Sequence, residues 1–270
     1  MKDIRIAAAV FNSIVNRPQY NLDRMVPLIK QAKKQDATLI CFPELNVTGY
    51  STRTAIEDAA EPVPGPISRR LQQMALEFQI VILAGLAEKD KSGRIYASHL
   101  IVTPQEISGI YRKVHIAPPE LGIFAAGNAI PVFQIADVNL GIQLCYDVHF
   151  PELATRMALD GVDIIFMPHA SPRGTPSEKL TSWLRHLTAR AFDNGVFIVA
   201  CNQTGDNHTG LQFPGVAVVI DPSGGIIKKN TKGKDGIVVA DLRAETLETV
   251  RRHRMRYFLP HRRPEVYYSK

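Results

Sequence analysis

Apolar runs rich in Val and Ile alternate with amphipathic segments along almost the whole chain. The apolar runs predict strands that are buried on both faces, and apolar residues recurring about every three or four positions predict helices. The predicted helices are Leu22–Gln35, Ile67–Phe78, Pro151–Asp160, Ser177–Asn194 and Ala244–Arg254. The predicted strands are Ile4–Val10, Ala37–Phe42, Ile80–Leu86, Ala97–Val102, Ile107–Val114, Asn139–Cys145, Val162–Met167, Val196–Asn202, Gly215–Ile220, Ile226–Lys228 and Ile237–Ala240.

This alternation of strands and helices is typical of an α/β fold. About ten strands or more are many for one open sheet, so we expect two stacked sheets with helices on their outer faces. The chain has 270 residues, and large α/β domains often exceed about 200 residues without dividing. No internal repeat, low-complexity tract or linker interrupts the pattern. We therefore predict a single domain.

The net charge of +6 comes entirely from the end of the chain. Residues 251–270 contain seven Lys or Arg against one acid, so residues 1–250 are neutral overall. A nucleic-acid-binding surface would spread basic residues along a groove beside stacking aromatic residues. The basic segment instead includes Tyr257, Phe258 and Leu259, which favour a tail that docks on the body or on a partner subunit. We therefore expect a single body over residues 1–250, a docked tail over residues 251–270 and no nucleic-acid partner.

The chain shows no pattern for membrane association. No run approaches the roughly 18 apolar residues of a transmembrane helix. The opening residues Met1-Lys2-Asp3 lead directly into a predicted strand, without the apolar stretch of a signal peptide. We therefore expect a cytoplasmic protein that does not act at a membrane.

The cysteines Cys41, Cys145 and Cys201 fit neither a disulfide framework nor a metal knuckle, because they are odd in number and widely spaced. The histidines show no metal-ligand spacing, and we expect neither a metal nor a cofactor. Cys41 and Cys201 are interpreted as small buried core residues. Cys145 differs because a helix is predicted to begin soon after it, near Pro151, and a thiol beside a helix N-terminus favours its thiolate form.

Three predicted strands carry reactive side chains near their ends. Glu44 directly follows one buried strand, Lys113 lies near the end of a second, and Cys145 ends a third. In buried α/β sheets, ligands bind at the carboxyl ends of the strands. A carboxylate can take the proton of an attacking thiol, and an ammonium with a backbone N–H can stabilise the resulting negative charge on oxygen or nitrogen. These residues favour a cysteine-nucleophile hydrolase. The alternative interpretation of Glu44 is a solvated loop acid, and that of Lys113 is a lysine on an edge strand.

The segments around these residues resemble the nitrilase superfamily of carbon–nitrogen hydrolases. The resemblance is carried by Pro43-Glu44, Tyr111-Arg112-Lys113-Val114-His115 and Cys145-Tyr146-Asp147-Val148-His149-Phe150-Pro151-Glu152. It extends over essentially the whole chain through Asp163-Ile164-Ile165, Ala189-Arg190-Ala191, Asn202, Asp221-Pro222 and His261-Arg262-Arg263-Pro264. Three motifs in this order and at these separations make the match specific.

The resemblance implies a four-layer α-β-β-α sandwich that assembles into homodimers or larger homo-oligomers. It implies a catalytic triad of Glu44, Lys113 and Cys145 that needs no metal or cofactor. Glu120 stands where many members carry a second glutamate, which would have a positioning or proton-relay role. The main-chain N–H of Tyr146 would share the oxyanion with Lys113.

The residues indicate the reaction more closely than the substrate. The resemblance implies a small-molecule amide, with a nitrile or an N-carbamoyl compound as alternatives. Members that bind N-carbamoyl amino acids often have arginines just after the nucleophile, and this chain has none there. Arg173 would be able to bind a carboxylate in their place, or it is a solvent-facing loop residue. His149 is a candidate for the pocket wall, or it is an ordinary loop residue. Phe124 is a second candidate, or it packs in the core.

The alternative outside enzymology is a catalytically silent member that acts as an interaction scaffold. Its mark would be a substituted triad, and Glu44, Lys113 and Cys145 are all present. A hydrolase is therefore favoured over a scaffold.

Overall fold

The computed structural model describes residues 1–267, and the last three residues of the expected tail lie outside this range. The helices of the described part are α1 (Pro18–Lys34), α2 (Pro66–Phe78), α3 (Pro151–Leu159), α4 (Pro176–Asn194), α5 (Ala244–Arg252) and α6 (Pro264–Tyr267). Its strands are β1 (Ile4–Val10), β2 (Leu39–Cys41), β3 (Val81–Lys89), β4 (Ile95–Val102), β5 (Ile107–Arg112), β6 (Phe133–Ile135), β7 (Val138–Ile142), β8 (Ile164–His169), β9 (Phe197–Asn202), β10 (Thr204–Asp206), β11 (Gln212–Pro214), β12 (Ala217–Ile220), β13 (Ile226–Asn230) and β14 (Gly236–Leu242).

Two six-stranded sheets of the same design contain most of these strands. Their strand orders are β14-β1-β2-β3-β4-β5 and β13-β12-β9-β8-β7-β6. In each sheet the parallel strands are neighbours, β1-β2-β3 in the first and β7-β8-β9 in the second. Antiparallel strands extend both sides of each parallel trio. The short strands β10 and β11 pair separately.

The two sheets stack face to face between two layers of helices. Helices α1 and α2 pack on the first sheet, α3 and α4 pack on the second, and β1 contacts β9 and β12 across the sandwich. Strand β1 shows how one sequence serves two interfaces, because alternate side chains point to opposite faces of a strand. Ile6 and Val10 belong to the core shared by the sheets, while Ala7 and Ala9 belong to the core under α1 and α2. The predicted four-layer α-β-β-α sandwich is confirmed.

Helix α4 has clear sequence signals at both ends. The Thr175 hydroxyl accepts a hydrogen bond from the Glu178 N–H, and the Glu178 carboxylate accepts one from the Thr175 N–H, which forms a capping box. Pro176 occupies the first helical position, where its missing N–H costs nothing. Gly195 ends the helix in the left-handed conformation at φ 58°. The predicted end of this helix at Asn194 is therefore confirmed.

Two predicted strands end earlier than the sequence indicated, and both lead to candidate catalytic residues. β5 ends at Arg112, so Lys113 lies just beyond the strand and not within it. β7 ends at Ile142, and Cys145 begins a short 3-10 turn, Cys145–His149. Apolar residues continue past both strand ends, and hydrophobicity alone does not mark where ladder pairing stops. The strands β6, β10 and β11 were not predicted, because three residues are too few for a periodic pattern.

The carboxyl ends of the parallel strands in the two sheets lie at the same end of the sandwich. Phe11, just after β1, forms a parallel bridge with Gln203, just after β9. The Thr204 N–H also donates to the Phe11 carbonyl at 3.1 Å. Loops from both sheets therefore meet where the carboxyl ends of α/β strands bind ligands.

Helix α5 joins the start of the basic tail to the body. The Arg251 guanidinium donates to an oxygen of Asp163 at 2.9 Å, to the Val162 carbonyl at 2.6 Å and to the Gly195 carbonyl at 3.2 Å. Further along, Leu259 is buried. Within residues 1–267, no helix combines the length and the hydropathy needed to cross a membrane.

Candidate active site

Glu44 and Lys113 form a fully buried ion pair. Glu44 follows β2 and Lys113 follows β5, and neither side chain has exposed surface. One Glu44 oxygen, Oε1, accepts a hydrogen bond from Lys113 Nζ at 2.8 Å, and the other, Oε2, accepts one from the Ala170 N–H at 3.0 Å. Because β2 and β5 belong to the first sheet and Ala170 follows β8 of the second, this pair joins the two sheets at the site.

Glu120 brings a second carboxylate to the same ammonium. Its Oε1 lies 2.8 Å from Lys113 Nζ and accepts a further hydrogen bond from the Tyr50 hydroxyl at 2.9 Å. Its Oε2 accepts from the Ala117 N–H at 3.1 Å, which fixes the carboxylate in a short 3-10 turn. Lys113 therefore lies between two carboxylates, and Glu120 is only 2% exposed.

Cys145 lies beside this cluster. It is partly exposed, whereas Cys41 and Cys201 are fully buried, as the sequence predicted for those two. Burial raises the pKa of the Cys145 thiol, and the charges of Glu44 and Lys113 and the Ala170 N–H also act on that pKa. The thiol, the carboxylate and the ammonium predicted from three separate motifs are therefore brought together.

Burial sets the protonation states of the two candidate proton-transfer groups. It raises the pKa of the Glu44 carboxyl to about 7, against the attraction of Lys113 and with a further contribution from Glu120. Burial and the charge of Glu44 also raise the pKa of the Cys145 thiol above its ordinary value, although Lys113 opposes them. The thiol is therefore protonated at neutral pH, and a base is needed to activate it.

The expectation that a helix N-terminus favours the Cys145 thiolate was wrong. Helix α3 begins only at Pro151, and Cys145 itself begins a 3-10 turn of five residues. The helix dipole acts within about one turn of the helix end, whereas the buried carboxylates lie next to the sulfur. Burial, together with the charge of Glu44, raises the pKa of the thiol instead.

Lys113 stays charged in this environment. Burial alone would lower the pKa of its ammonium, but the charge of Glu44, the charge of Cys145 when it is ionised and the charge of Glu120 raise the pKa above its ordinary value. A permanently protonated Lys113 offers N–H donors and positive charge, and it does not act as a base.

Asp147 ties the loop of Lys113 to the turn of Cys145. It is fully buried, and its carboxylate accepts hydrogen bonds from the Tyr111 hydroxyl at 2.8 Å, the His115 N–H at 2.8 Å and the Leu144 N–H at 3.0 Å. Tyr111 and His115 stand on either side of Lys113 in the sequence, and Leu144 directly precedes Cys145. Asp147 therefore sets the position of Lys113 relative to Cys145.

The backbone N–H groups at the start of the Cys145 turn are available to a ligand. The first hydrogen bond of the turn runs from the Asp147 N–H to the Leu144 carbonyl at 2.9 Å. The N–H groups of Cys145 and Tyr146 precede it and have no partner within the turn. The role of the Tyr146 N–H as an oxyanion donor stays a prediction.

The three candidate substrate-binding residues lie in different surroundings. His149 is exposed, with its ring 4.8 Å from that of His186 and 5.8 Å from that of Tyr146. Phe124 is 6% exposed and belongs to the main apolar core. Arg173 is exposed in the loop after β8 at φ 71°.

Sequence reasoning did not assign roles to Tyr50, Ala170 or Asp147. Tyr50 and Ala170 are far in sequence from the groups they bind, and the Ala170 contribution is a main-chain N–H that no residue type reveals. Asp147 stands inside the cysteine motif, so its place there was the available signal. Within residues 1–267, no group of three His, Cys, Asp or Glu side chains has the arrangement of a metal site.

Comparisons with known proteins agree with this geometry. A family model for carbon–nitrogen hydrolases matches residues 5–252. The chain is 30% identical over 275 residues to a nitrilase of Pyrococcus abyssi, covering 98% of this chain and 99% of that one. It is 32% identical over 267 residues to a deaminated glutathione amidase of Synechocystis sp., covering 93% and 96%.

A solved structure supports the same assignment. It is a mutant of the amidase from Nesterenkonia sp. AN1 with acrylamide added at the active-site cysteine, and it superposes with a TM-score of 0.82 at 26% identity over 98% of both chains. The resemblance seen in the sequence is therefore confirmed: the chain belongs to the carbon–nitrogen hydrolase family of the nitrilase superfamily.

Proposed function

We propose that this hydrolase converts small linear amides to carboxylic acids and ammonia through a thioester on Cys145. The observation that carries the proposal is the buried Glu44 carboxylate, which is held by Lys113 and the Ala170 N–H beside a protonated thiol. Relatives of the chain include amidases, and in one of them acrylamide adds to the active-site cysteine.

In the first half of the reaction, Glu44 takes the proton of the Cys145 thiol as the sulfur attacks the amide carbon. The carbonyl oxygen becomes an oxyanion, which Lys113 Nζ and the Tyr146 N–H stabilise. The protonated Glu44 then gives its proton to the amide nitrogen. The carbon–nitrogen bond breaks, ammonia leaves, and the acyl group stays on sulfur as a thioester.

In the second half, Glu44 takes a proton from a water molecule that attacks the thioester. The second oxyanion is held by the same donors as the first. When it collapses, the carbon–sulfur bond breaks and the proton on Glu44 returns to the Cys145 sulfur. The products are a carboxylic acid and free enzyme, and one water has been consumed.

The electrostatics fit these roles. A carboxyl with a pKa of about 7 both accepts and donates a proton at neutral pH, which is the optimum for a general acid–base group. Lys113 stays protonated at neutral pH and therefore offers a positively charged oxyanion donor. A well-placed donor of this kind contributes roughly 3–4 kcal/mol to the transition state. We propose that Glu120 positions Lys113 between the two carboxylates.

A nitrile is the second candidate substrate, because the relative from Pyrococcus abyssi is a nitrilase. Attack of Cys145 on a nitrile carbon would place the negative charge on nitrogen, where Lys113 would meet it in the same way. An N-carbamoyl compound is a third candidate, although no arginine directly follows Cys145. A catalytically silent scaffold would turn over none of them.

The direct test measures ammonia release from a panel of aliphatic amides, ω-amides, N-carbamoyl amines and nitriles. We expect turnover of amides by the wild-type chain and none by Cys145→Ala. Wild-type protein quenched with acid during turnover of a substrate amide should carry the acyl group as a thioester on Cys145, whereas Glu44→Gln should carry none, because Glu44 is the base that activates the thiol. Intact-mass spectrometry would detect that adduct. An adduct on Cys41 or Cys201 would contradict the proposal, and so would the absence of turnover of every substrate in the panel.

We also propose that the chain forms a homodimer or larger homo-oligomer, as the resemblance implies, with its docked tail near the contact. Met255 and Phe258 of the tail are 78% and 41% exposed, and Phe258 lies against the 42% exposed Phe192 of α4. Apolar side chains that are exposed together often mark a protein interface. Analytical ultracentrifugation of the wild-type chain and of Met255→Glu tests this, and a monomeric wild type would contradict it.

A further inference from the structure

Gln203 is a fully buried residue between β9 and β10 that has no part in the mechanism described so far. Its side-chain amide nitrogen, Nε2, donates a hydrogen bond to the Glu44 carbonyl at 2.8 Å. Its amide oxygen, Oε1, is buried and has no hydrogen-bond partner among residues 1–267. A buried polar atom without a partner costs free energy of folding and needs an explanation. The contact between Nε2 and Glu44 is a reason to keep an amide at this position.

The Glu44 carbonyl belongs to a strained piece of backbone. Leu45, the next residue, has φ 51°, in the left-handed region that residues other than glycine rarely adopt. Backbone strain of this kind persists only where the surrounding structure holds it, and it is common at functional sites. The Glu44 carbonyl is part of the peptide group that leads into Leu45, so the hydrogen bond from Gln203 fixes the orientation of that peptide.

The main chain of Gln203 holds the partner of Glu44 on the second sheet. The Gln203 N–H donates to the His169 carbonyl at 3.3 Å. That carbonyl belongs to the same peptide group as the Ala170 N–H, which donates to Glu44 Oε2 at 3.0 Å. A parallel bridge to Phe11 fixes the backbone of Gln203 itself. Gln203 therefore binds the peptide group on each side of the hydrogen bond between Ala170 and Glu44.

We propose that Gln203 is a positioning residue for Glu44, which it holds against the Ala170 N–H and within reach of the Cys145 thiol. This inference rests on the amidase function proposed above. Gln203 binds two peptide groups and not the reacting atoms, so it acts through Glu44. A general base has to lie within hydrogen-bond reach of the proton that it takes. A displacement of about 1 Å at such a group is enough to lower a rate by about a hundredfold.

The kinetic test uses Gln203→Met, which removes the amide and keeps the length of the side chain. We expect it to lower kcat by about tenfold or more and to leave KM within about twofold, because the base moves and the substrate contacts do not. Circular dichroism checks the fold. If this variant does not fold, Gln203→Asn replaces it with the same expectation, because its amide is too short to reach the Glu44 carbonyl.

Gln72→Met is the matched control. The Gln72 side-chain amide also donates to buried backbone, the carbonyls of Thr103 and Pro104, at 3.0 and 3.1 Å. These residues follow β4 where it pairs with the start of β3, at the end of the sandwich opposite to the site. The control should lose stability and keep the kcat and KM of the wild type.

A titration measures the position of Glu44 without any substrate. Burial favours a proton on Glu44, and so does the charge of Glu120. The Lys113 ammonium and the Ala170 N–H favour the ionised carboxylate. If Gln203→Met weakens the hydrogen bond from Ala170, the pKa of Glu44 should rise above its wild-type value of about 7. NMR spectroscopy of isotope-labelled glutamate carboxyls measures this pKa, and the Glu44 signal is assigned by its loss in Glu44→Gln.

The outcomes separate this inference from the proposed function. An unchanged titration of Glu44 in Gln203→Met would overturn the positioning role and leave the amidase function standing. A rise in KM at constant kcat would overturn it too, because Gln203 would then act on substrate binding. An equal loss of kcat in Gln72→Met would show a general effect of a lost amide and would also overturn it. If the wild type releases ammonia from no amide of the panel, the amidase function fails, and the titration still decides whether Gln203 positions Glu44.

Discussion

Lys113 Nζ lies 2.8 Å from an oxygen of Glu44 and 2.8 Å from an oxygen of Glu120, in a site where all three side chains are buried. One ammonium cannot neutralise two buried carboxylates. The excess negative charge, added to the effect of burial, favours a proton on Glu44 and opposes ionisation of the neighbouring thiol. The arrangement therefore keeps Cys145 protonated at rest and provides Glu44 to take its proton during attack.

Cys145→Ala should abolish ammonia release while the protein stays folded. The sulfur is the proposed nucleophile, and its partly exposed side chain adds little to the core. Activity is measured as ammonia release and folding as circular dichroism with thermal unfolding. Cys201→Ala is the control, because Cys201 is fully buried and should affect stability and not chemistry. Full activity in Cys145→Ala would reject the nucleophile assignment.

The activity should fall as the pH is lowered through about 7. A base has to be ionised to accept the thiol proton, and the pKa of Glu44 is raised to about 7. Below that pH, protonated Glu44 accumulates, and kcat/KM should decrease about tenfold per pH unit. A pH profile of kcat/KM between pH 5 and 8, with circular dichroism at each pH to confirm folding, checks this. A flat profile would mean that Glu44 is not the base.

Asp147→Asn should destabilise the fold by about 1.5–3 kcal/mol. The buried Asp147 carboxylate accepts several hydrogen bonds. The amide of the variant would present N–H donors to some of these same donor groups. The substitution should also lower kcat, since Lys113 and Cys145 would lose their common support. Denaturant unfolding measures the first effect. Asp160→Asn, at the partner of the exposed Arg156, is the control and should change stability by less than about 0.5 kcal/mol. Equal stability of the two variants would contradict the role of Asp147.

Arg251→Ala should destabilise the fold more than Arg252→Ala. The Arg251 guanidinium binds Asp163 and two main-chain carbonyls of the body, and its loss should cost about 2 kcal/mol or more. Arg252 is 81% exposed and pairs only with Glu248 one turn away, so its loss should cost less than about 1 kcal/mol. Both values come from denaturant unfolding. Similar losses in the two neighbours would mean that α5 is not anchored through Arg251.

The fold was predictable because its signals are local. Each sheet buries apolar strands on both faces. Helix α4 is bounded by local capping residues, Thr175 at its start and Gly195 at its end. The errors fell at strand ends and at the shortest strands. Strands β6, β10 and β11 are three residues each, which is too short for a periodic pattern.

The candidate site was predictable only in part. Glu44, Lys113 and Cys145 stand in recognisable motifs, and the structure brings them together. The Ala170 N–H gave no comparable signal. It is a main-chain group, and it binds Glu44 from a segment that is far away in the sequence.

The amino-acid sequence determined the order of the elements, the stacked sheets and the residue types that carry the chemistry, because periodicity and motifs are properties of neighbouring residues. Only the tertiary structure decided the protonation states. The pKa of Glu44 and that of Cys145 depend on burial and on charges from other loops, and these are set when the carboxyl ends of two sheets meet.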